Sequence, residues 1–373
     1  MPCIAISTIA NRQFRSILQH NHFKPLCRLK NVNQRQTFFD HKKATFTSWS
    51  VQEAAIQFSW TKLGLIAVGV PLAVYAYKCT MLVLFQNKLI YVPYLPPGSR
   101  QMQLDNTRVD KRMLCKKVHV WTPDGCKLAG IIARAKKSNE IQAELSGTSS
   151  WRDIDENDPV MIYFQGNAGT MLTRLPAFEH LLLHSTKAIP NLTIAGIGYR
   201  GYWSSTGRPF EKGLQRDALA IFDFVRQQFP RNPLYLYGHS LGGAVMLYLA
   251  SHPHVQKEVR GIILENTFTS LQDMAAALYP QSWLPYKYLA RSPYILRSRW
   301  ESEKRIKDVT TPILFLSSVD DELIPQSQMM RLRGNATNAK FTTWVDFRNA
   351  LHMNTYMQDG YLEAIKQFID KTL

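Results

Sequence analysis

Ser240 stands in Gly238-His239-Ser240-Leu241-Gly242, a G-x-S-x-G pattern. A serine hydroxyl is a weak nucleophile. It attacks a carbonyl when a base takes its proton and a third group orients that base. Backbone amides must also hold the oxyanion that forms. Where G-x-S-x-G caps a strand and opens a helix, the partners follow in the order Ser, Asp or Glu, His. Of ten histidines, His352 in RNALHMNTY is the one that follows the last predicted strand, in a loop before the final helix. The acid is expected after the penultimate strand, where PILFLSSVDDELIP offers Asp320, Asp321 and Glu322. Spacing alone does not choose among the three. One oxyanion donor is expected at the amide of Leu241, directly after the serine. The other is expected in the loop Gln165 to Gly169, QGNAG, at the amide of Asn167.

These residues need a scaffold. The apolar strand LYLY precedes Ser240 and the apolar helix AVMLYLA follows it. That is the setting a nucleophile elbow requires, with glycines on both sides allowing strand and helix to approach. Residues 113–122 and 127–134 read as two strands joined by the turn Pro123 to Gly125. A long polar loop follows. From VMIYF onward strands and helices alternate: a helix at 171–184, LTIAGI, a helix at 212–229, LYLY, a helix from Gly242, GIILEN, PILFLS, a helix, FTTWVDF and a last helix from Tyr356. Alternation of this kind predicts an α/β fold with a mostly parallel sheet covered on both faces. Residues 268–299, rich in Leu, Tyr, Trp and Pro, are expected to cap the site with Leu271, Met274, Leu278, Trp283 and Leu284.

The chain of 373 residues carries a net charge of +17. No basic run interleaved with aromatics is present, so a nucleic-acid partner is not expected. A basic balance equally suits an anionic lipid surface. Leu63 to Phe85, LGLIAVGVPLAVYAYKCTMLVLF, has Lys78 as its one charge and is long enough to cross a bilayer as a helix. Residues 1–62 ahead of it hold nine Lys or Arg against Asp40 and Glu53. This leader resembles a mitochondrial presequence, with the endoplasmic reticulum the alternative destination. Residues 86–112, with the proline-rich YVPYLPPGSR, read as a linker to a catalytic domain at 113–373. Five scattered cysteines form no CxxC and no Cys/His cluster, so no zinc site is expected. Neither a metal nor an organic cofactor is expected. GIGYRG, Gly196 to Gly201, matches a dinucleotide fingerprint, but loop residues follow where a helix would have to open. His180 and His184 share a helix face and have no third ligand in the pattern.

Taken together, FQGNAGTMLTRLP, GYRGYWSSTGRP, YGHSLGGAV, ENTFTSLQDMA, SVDDELIP and LHMNTYMQDGYLEAIKQFI resemble the bud-emergence-related branch of the α/β-hydrolases, membrane-anchored serine hydrolases. The resemblance runs from about Tyr91 to the C-terminus. It implies Ser240 as nucleophile and His352 as base. It selects Asp321 as the acid, because D-x-L-[IV]-P fits Asp321 to Pro325 and places Asp320 one position early. The expected substrate is an acyl ester or thioester, including lipid-acyl or protein-palmitoyl groups. A serine peptidase and a catalytically silent membrane scaffold are the alternatives. The family pattern has histidine where Gln165 stands and glycine where Trp203 stands, and Trp203 is expected to narrow the substrate mouth.

Overall fold

In the computed structural model the described residues are 59–105, 109–137, 154–184, 189–281, 285–289, 291–292 and 294–373. Most of the leader, the greater part of the polar loop after residue 137, and Trp283 and Leu284 of the expected cap lie outside them.

Eight strands form one sheet: β1 (Met113–Trp121), β2 (Lys127–Ala135), β3 (Val160–Phe164), β4 (Thr193–Ile197), β5 (Leu234–His239), β6 (Val259–Glu265), β7 (Ile313–Ser318) and β8 (Thr342–Phe347). Their order is β1-β2-β4-β3-β5-β6-β7-β8. The first hairpin turns at Gly125, whose φ of 80° favours glycine. β2 pairs antiparallel with β1 and β4, and every pairing from β4 to β8 is parallel. Every residue of β3, β4, β5 and β7 is buried. Such continuous apolar runs are what a sheet covered on both faces requires.

The principal helices are α1 (Trp60–Ile90), α2 (Leu175–Leu183), α3 (Glu211–Gln228), α4 (Leu241–Ala250), α5 (Leu271–Leu278), α6 (Gln326–Asn335) and α7 (Tyr361–Thr372). On one face of the sheet, α3 buries Leu214, Ala218, Ile221 and Val225, spaced to form one apolar stripe. On the other, α2 contributes Phe178 and Leu181, and α7 contributes Ile365 and Phe368. The parallel registers align Phe164 with Gly238, His239 with Glu265, Glu265 with Leu316, and Ser318 with Phe347. The carboxyl ends of β3, β5, β6, β7 and β8 are therefore nearly level. In an open α/β sheet this edge is where ligands bind.

α1 is longer than the expected span by three residues at its start and five at its end. Its 31 residues extend about 46 Å. Leu65, Val68 and Leu72 are exposed, so the helix turns uncovered apolar surface outward and is a candidate membrane span. The reading of 86–112 as a plain linker needs correction. The Gln86 side chain donates to Ile295 O at 3.0 Å and accepts from Arg297 N at 2.7 Å. Tyr91 is 1% exposed; its hydroxyl donates to Ser298 Oγ at 3.1 Å and accepts from the Trp300 indole at 2.9 Å. Val92 bridges Ala168 as a one-residue parallel strand. Prolines here signal extended backbone poor in donors. Such backbone can lie in the core when its neighbours are apolar, as Tyr91 and Val92 are.

Candidate active site

Ser240 lies at the tip of β5 with φ 55° and ψ −121°. A non-glycine residue is strained there, and the turn is the one a nucleophile elbow uses to present its hydroxyl. The crossing beneath it is very close. A Cβ on Gly238 would meet Gly243 Cα at 2.6 Å, and one on Gly242 would meet Phe164 O at 2.0 Å. The strained turn is tied down by Ser240 N donating to Glu265 O at 3.0 Å and by Thr267 Oγ1 donating to Ser240 O at 2.7 Å. Ser240 retains 6% of its surface.

The loops after β7 and β8 bring Asp321 and His352 together. His352 Nδ1 donates to Asp321 Oδ2 at 2.8 Å, with the side chains 3% and 2% exposed. Asp321 Oδ1 accepts the amides of Leu323 and Ile324, at 2.9 and 2.8 Å. Its two neighbours take other partners. Asp320 accepts from Asn349 N at 3.1 Å, and Glu322 accepts from His352 N at 2.9 Å. Burial disfavours a charge on His352. The adjoining Asp321 carboxylate outweighs it, helped by Glu322 and Glu265, and raises the pKa above the ordinary histidine value.

Sequence reasoning missed the groups that hold the His352 loop. His239 Nε2 donates to His352 O at 3.0 Å, and Asn266 Nδ2 donates to the same oxygen at 3.1 Å. Burial, then the nearby His352 and Arg174, drives the pKa of His239 far down, so its ring is neutral. The two histidine rings lie 4.9 Å apart. Asn266, with φ 45°, also has Ser318 Oγ and Thr355 Oγ1 within reach of the same Nδ2, both at 2.9 Å, so its two N–H bonds are shared among three acceptors. Below it the buried Glu265 accepts from the Tyr237 hydroxyl; burial raises the pKa of this carboxyl. The one sequence signal for these residues was their place immediately before Ser240 or immediately after β6.

Leu241 is the first residue of α4, and an opening amide has no acceptor within its own helix. Gly166 lies against the elbow: a Cβ on it would meet His239 Nδ1 at 3.4 Å and Ser240 Cβ at 3.5 Å. The loop carrying Asn167 thus passes beside Ser240. Gln165 is wholly buried, and its carboxamide finds no hydrogen-bond partner among the described residues. Trp203 does not border an open mouth. It is 1% exposed, with its indole N–H on Met102 O at 2.8 Å, so it packs the segment after α1 against the domain. A bulky indole is placed by the apolar volume available to it, and that volume is internal here. The rings of His180 on α2 and His184 just past its end lie 4.5 Å apart, tilted by 59°, and among the described residues no cluster of three metal-ligating side chains forms.

The arrangement fits a hydrolase: a strained serine, a histidine paired with a buried carboxylate, and the loop after β3 passing beside the elbow, all on one edge of a mostly parallel sheet. A sequence description of the α/β-hydrolase fold matches residues 159–287. The chain is 30% identical over 319 residues to the α/β hydrolase domain-containing protein WAV2 of Arabidopsis thaliana, covering 83% of this chain and 92% of that protein. It is 30% identical to protein bem46 of Schizosaccharomyces pombe over 76% of this chain and 86% of that one. It is 27% identical to the lysophosphatidylserine lipase ABHD12 of Danio rerio, over 51% of this chain and 50% of that one. Among solved structures, an esterase from Pyrococcus furiosus superposes with a TM-score of 0.53 at 14% identity, covering 73% of this chain and 95% of that chain. The chain belongs to the α/β-hydrolase superfamily, in the abhydrolase-domain branch of bem46 and WAV2.

Proposed function

We propose that the protein is a membrane-anchored serine hydrolase that cleaves acyl esters or thioesters, with medium-to-long acyl chains preferred. Ser240 attacks the carbonyl carbon. His352 takes the hydroxyl proton and returns it to the leaving alcohol or thiol. Asp321 holds the His352 tautomer and stabilises the imidazolium. The amides of Leu241 and Asn167 hold the oxyanion. Water then attacks the acyl-enzyme by the same route in reverse. The observation that carries the reading is the buried Asp321–His352 contact at 2.8 Å on the same sheet edge as the strained Ser240.

The lipid side rests on other observations. α1 supports anchorage, and its end is hydrogen-bonded to residues 295 and 297 of the cap region 268–299. A hydrolase domain at 113–373 would then work close to acyl chains concentrated in a bilayer. A relative named as a lysophosphatidylserine lipase supports a lipid-acyl ester as the substrate class. The basic, acid-poor leader supports a mitochondrial membrane as the compartment.

The test is fluorophosphonate labelling of the full chain in detergent, followed by kcat/KM for p-nitrophenyl esters and acyl thioesters from C2 to C16. Labelling should vanish in a folded Ser240→Ala variant. Each buried methylene contributes up to about 0.8 kcal/mol, so several added carbons should raise kcat/KM more than about tenfold. Wild-type labelling in Ser240→Ala would end the hydrolase reading. A maximum at C2 to C4 would end the lipid-acyl part alone.

A further inference from the structure

We infer that Tyr199 and Tyr202, with the backbone N–H of Val92, are positioning residues that aim the Asn167 amide at the oxyanion. The inference rests on the reading above of loop 165–169 as half of the oxyanion hole. The Asn167 N–H belongs to the Gly166–Asn167 peptide, and its direction is set by the peptides on either side. On one side, Gln165 O accepts the Tyr199 hydroxyl at 2.8 Å. On the other, Asn167 O accepts both the Tyr202 hydroxyl at 2.8 Å and Val92 N–H at 3.0 Å. Gly169 N then donates to Leu95 O at 2.7 Å, closing the seam between this loop and the exit of α1. Gly166, the residue between the pinned carbonyls, has no side chain to restrain it, so these outside donors set its backbone.

A buried tyrosine needs some acceptor for its hydroxyl, and many main-chain carbonyls would serve. Here two tyrosines select the carbonyls that bracket one peptide. The turn GYRGY makes this possible. Tyr202 N donates to Tyr199 O at 2.9 Å, and Gly201 takes φ 79°, so the two rings emerge together and meet edge to face at 5.5 Å. Both are fully buried. Burial raises both pKa values well above the ordinary phenol value, so each hydroxyl keeps the proton it donates. The glycine-rich stretch that mimics a dinucleotide fingerprint thereby acquires a role in acyl transfer. Because Val92 is the second residue after α1, the exit of that helix is part of the same frame.

Removing a whole oxyanion donor typically lowers kcat by about 10²–10³-fold, and misaiming one should cost part of that. The experiment compares Tyr199→Phe, Tyr202→Phe, Val92→Pro and Val92→Ala in the full chain in detergent, with active sites counted by fluorophosphonate titration. Proline at 92 removes the N–H; the extended Tyr91 before it, φ −108° and ψ 112°, tolerates this. Alanine at 92 keeps the N–H and controls for lost packing. The readouts are kcat and KM for p-nitrophenyl octanoate, Kd for octylboronic acid, whose serine adduct places an oxygen in the hole, and Tm. Tyr202→Phe and Val92→Pro should each lower kcat about tenfold or more. They should weaken the boronic acid by a similar factor with KM within about twofold, and Val92→Ala should do much less. If both tyrosine variants lose only Tm, with kcat per titrated site and boronic acid affinity unchanged, the inference is overturned. These variants decide even if Val92→Pro fails to fold. A wild-type protein that neither labels nor binds the boronic acid would remove the hydrolase reading and this inference with it.

Discussion

Asn in place of Asp321 should stop turnover and leave the fold standing. Asp321 uses both oxygens: Oδ1 accepts two backbone amides, at 2.9 and 2.8 Å, and Oδ2 accepts His352 Nδ1–H at 2.8 Å. Asparagine has one carbonyl oxygen to offer. Turned toward His352, it would present its NH₂ to the amides of Leu323 and Ile324, losing two hydrogen bonds worth about 1 kcal/mol each, and more where burial leaves a donor unpaired. Turned toward the amides, it keeps both bonds and presents NH₂ to His352. The second orientation wins. Nδ1 must then be the acceptor, so the imidazole proton moves to Nε2, the nitrogen that should receive the Ser240 proton. In the serine-protease template the equivalent change lowers kcat about 10⁴-fold, or about 5.4 kcal/mol of barrier. Asp320→Asn is the control. Its carboxylate is exposed and accepts one loop amide at 3.1 Å, so kcat should stay within about threefold. The assay is p-nitrophenyl octanoate turnover per fluorophosphonate-titrated site, with Tm measured alongside. Asp321→Asn retaining a tenth or more of wild-type kcat, or Asp320→Asn proving the more damaging change, would refute the reasoning.

Two more outcomes follow from the same geometry. With neutral His352 as the proposed base and its pKa raised, the acid limb of kcat/KM against pH should lie above 6.5 and move down in Asp321→Asn. The sign for stability is the usual one for a raised histidine: the charged His352 favours the fold below its unfolded pKa, and that contribution is lost as pH rises through the folded value. A wild-type limb at or below 6.5 would contradict the pairing. Gly242→Ala would place a methyl 2.0 Å from Phe164 O, which is backbone and cannot swing aside. It should cost at least about 3 kcal/mol, a fall of several degrees in Tm, and disturb Ser240 as well. A Tm unchanged in thermal denaturation would mean that helix and strand cross less closely than described.

Much of the candidate site was legible in the sequence because its signals are local. The elbow is five residues long, and its strand and helix are announced by apolar runs on either side. The alternation that follows predicts a parallel sheet, and a parallel sheet brings strand ends to one edge. The resemblance to a family then selected Asp321 where spacing had left three carboxylates open. The exit of α1 misled the reading for a physical reason. YVPYLPPGSR shows its prolines to sequence analysis but not the wall it lies against, so burial of Tyr91 and Val92 depends on partners more than 70 residues away, Ala168, Ser298 and Trp300.

Residue types and neighbours within one turn or strand therefore determined the sheet class, the elbow at Ser240 and the candidate base at His352. The tertiary structure decided which groups meet. Asp321 rather than Asp320 faces His352 because of how the loop after β7 turns beside the loop after β8. His239 and Asn266 converge on one carbonyl because β5, β6 and β8 end level. Tyr199 and Tyr202 reach loop 165–169 because β3 and β4 are paired in parallel. Each of these contacts joins chain segments that local propensity cannot relate, and only packing of the whole sheet sets the distances between them.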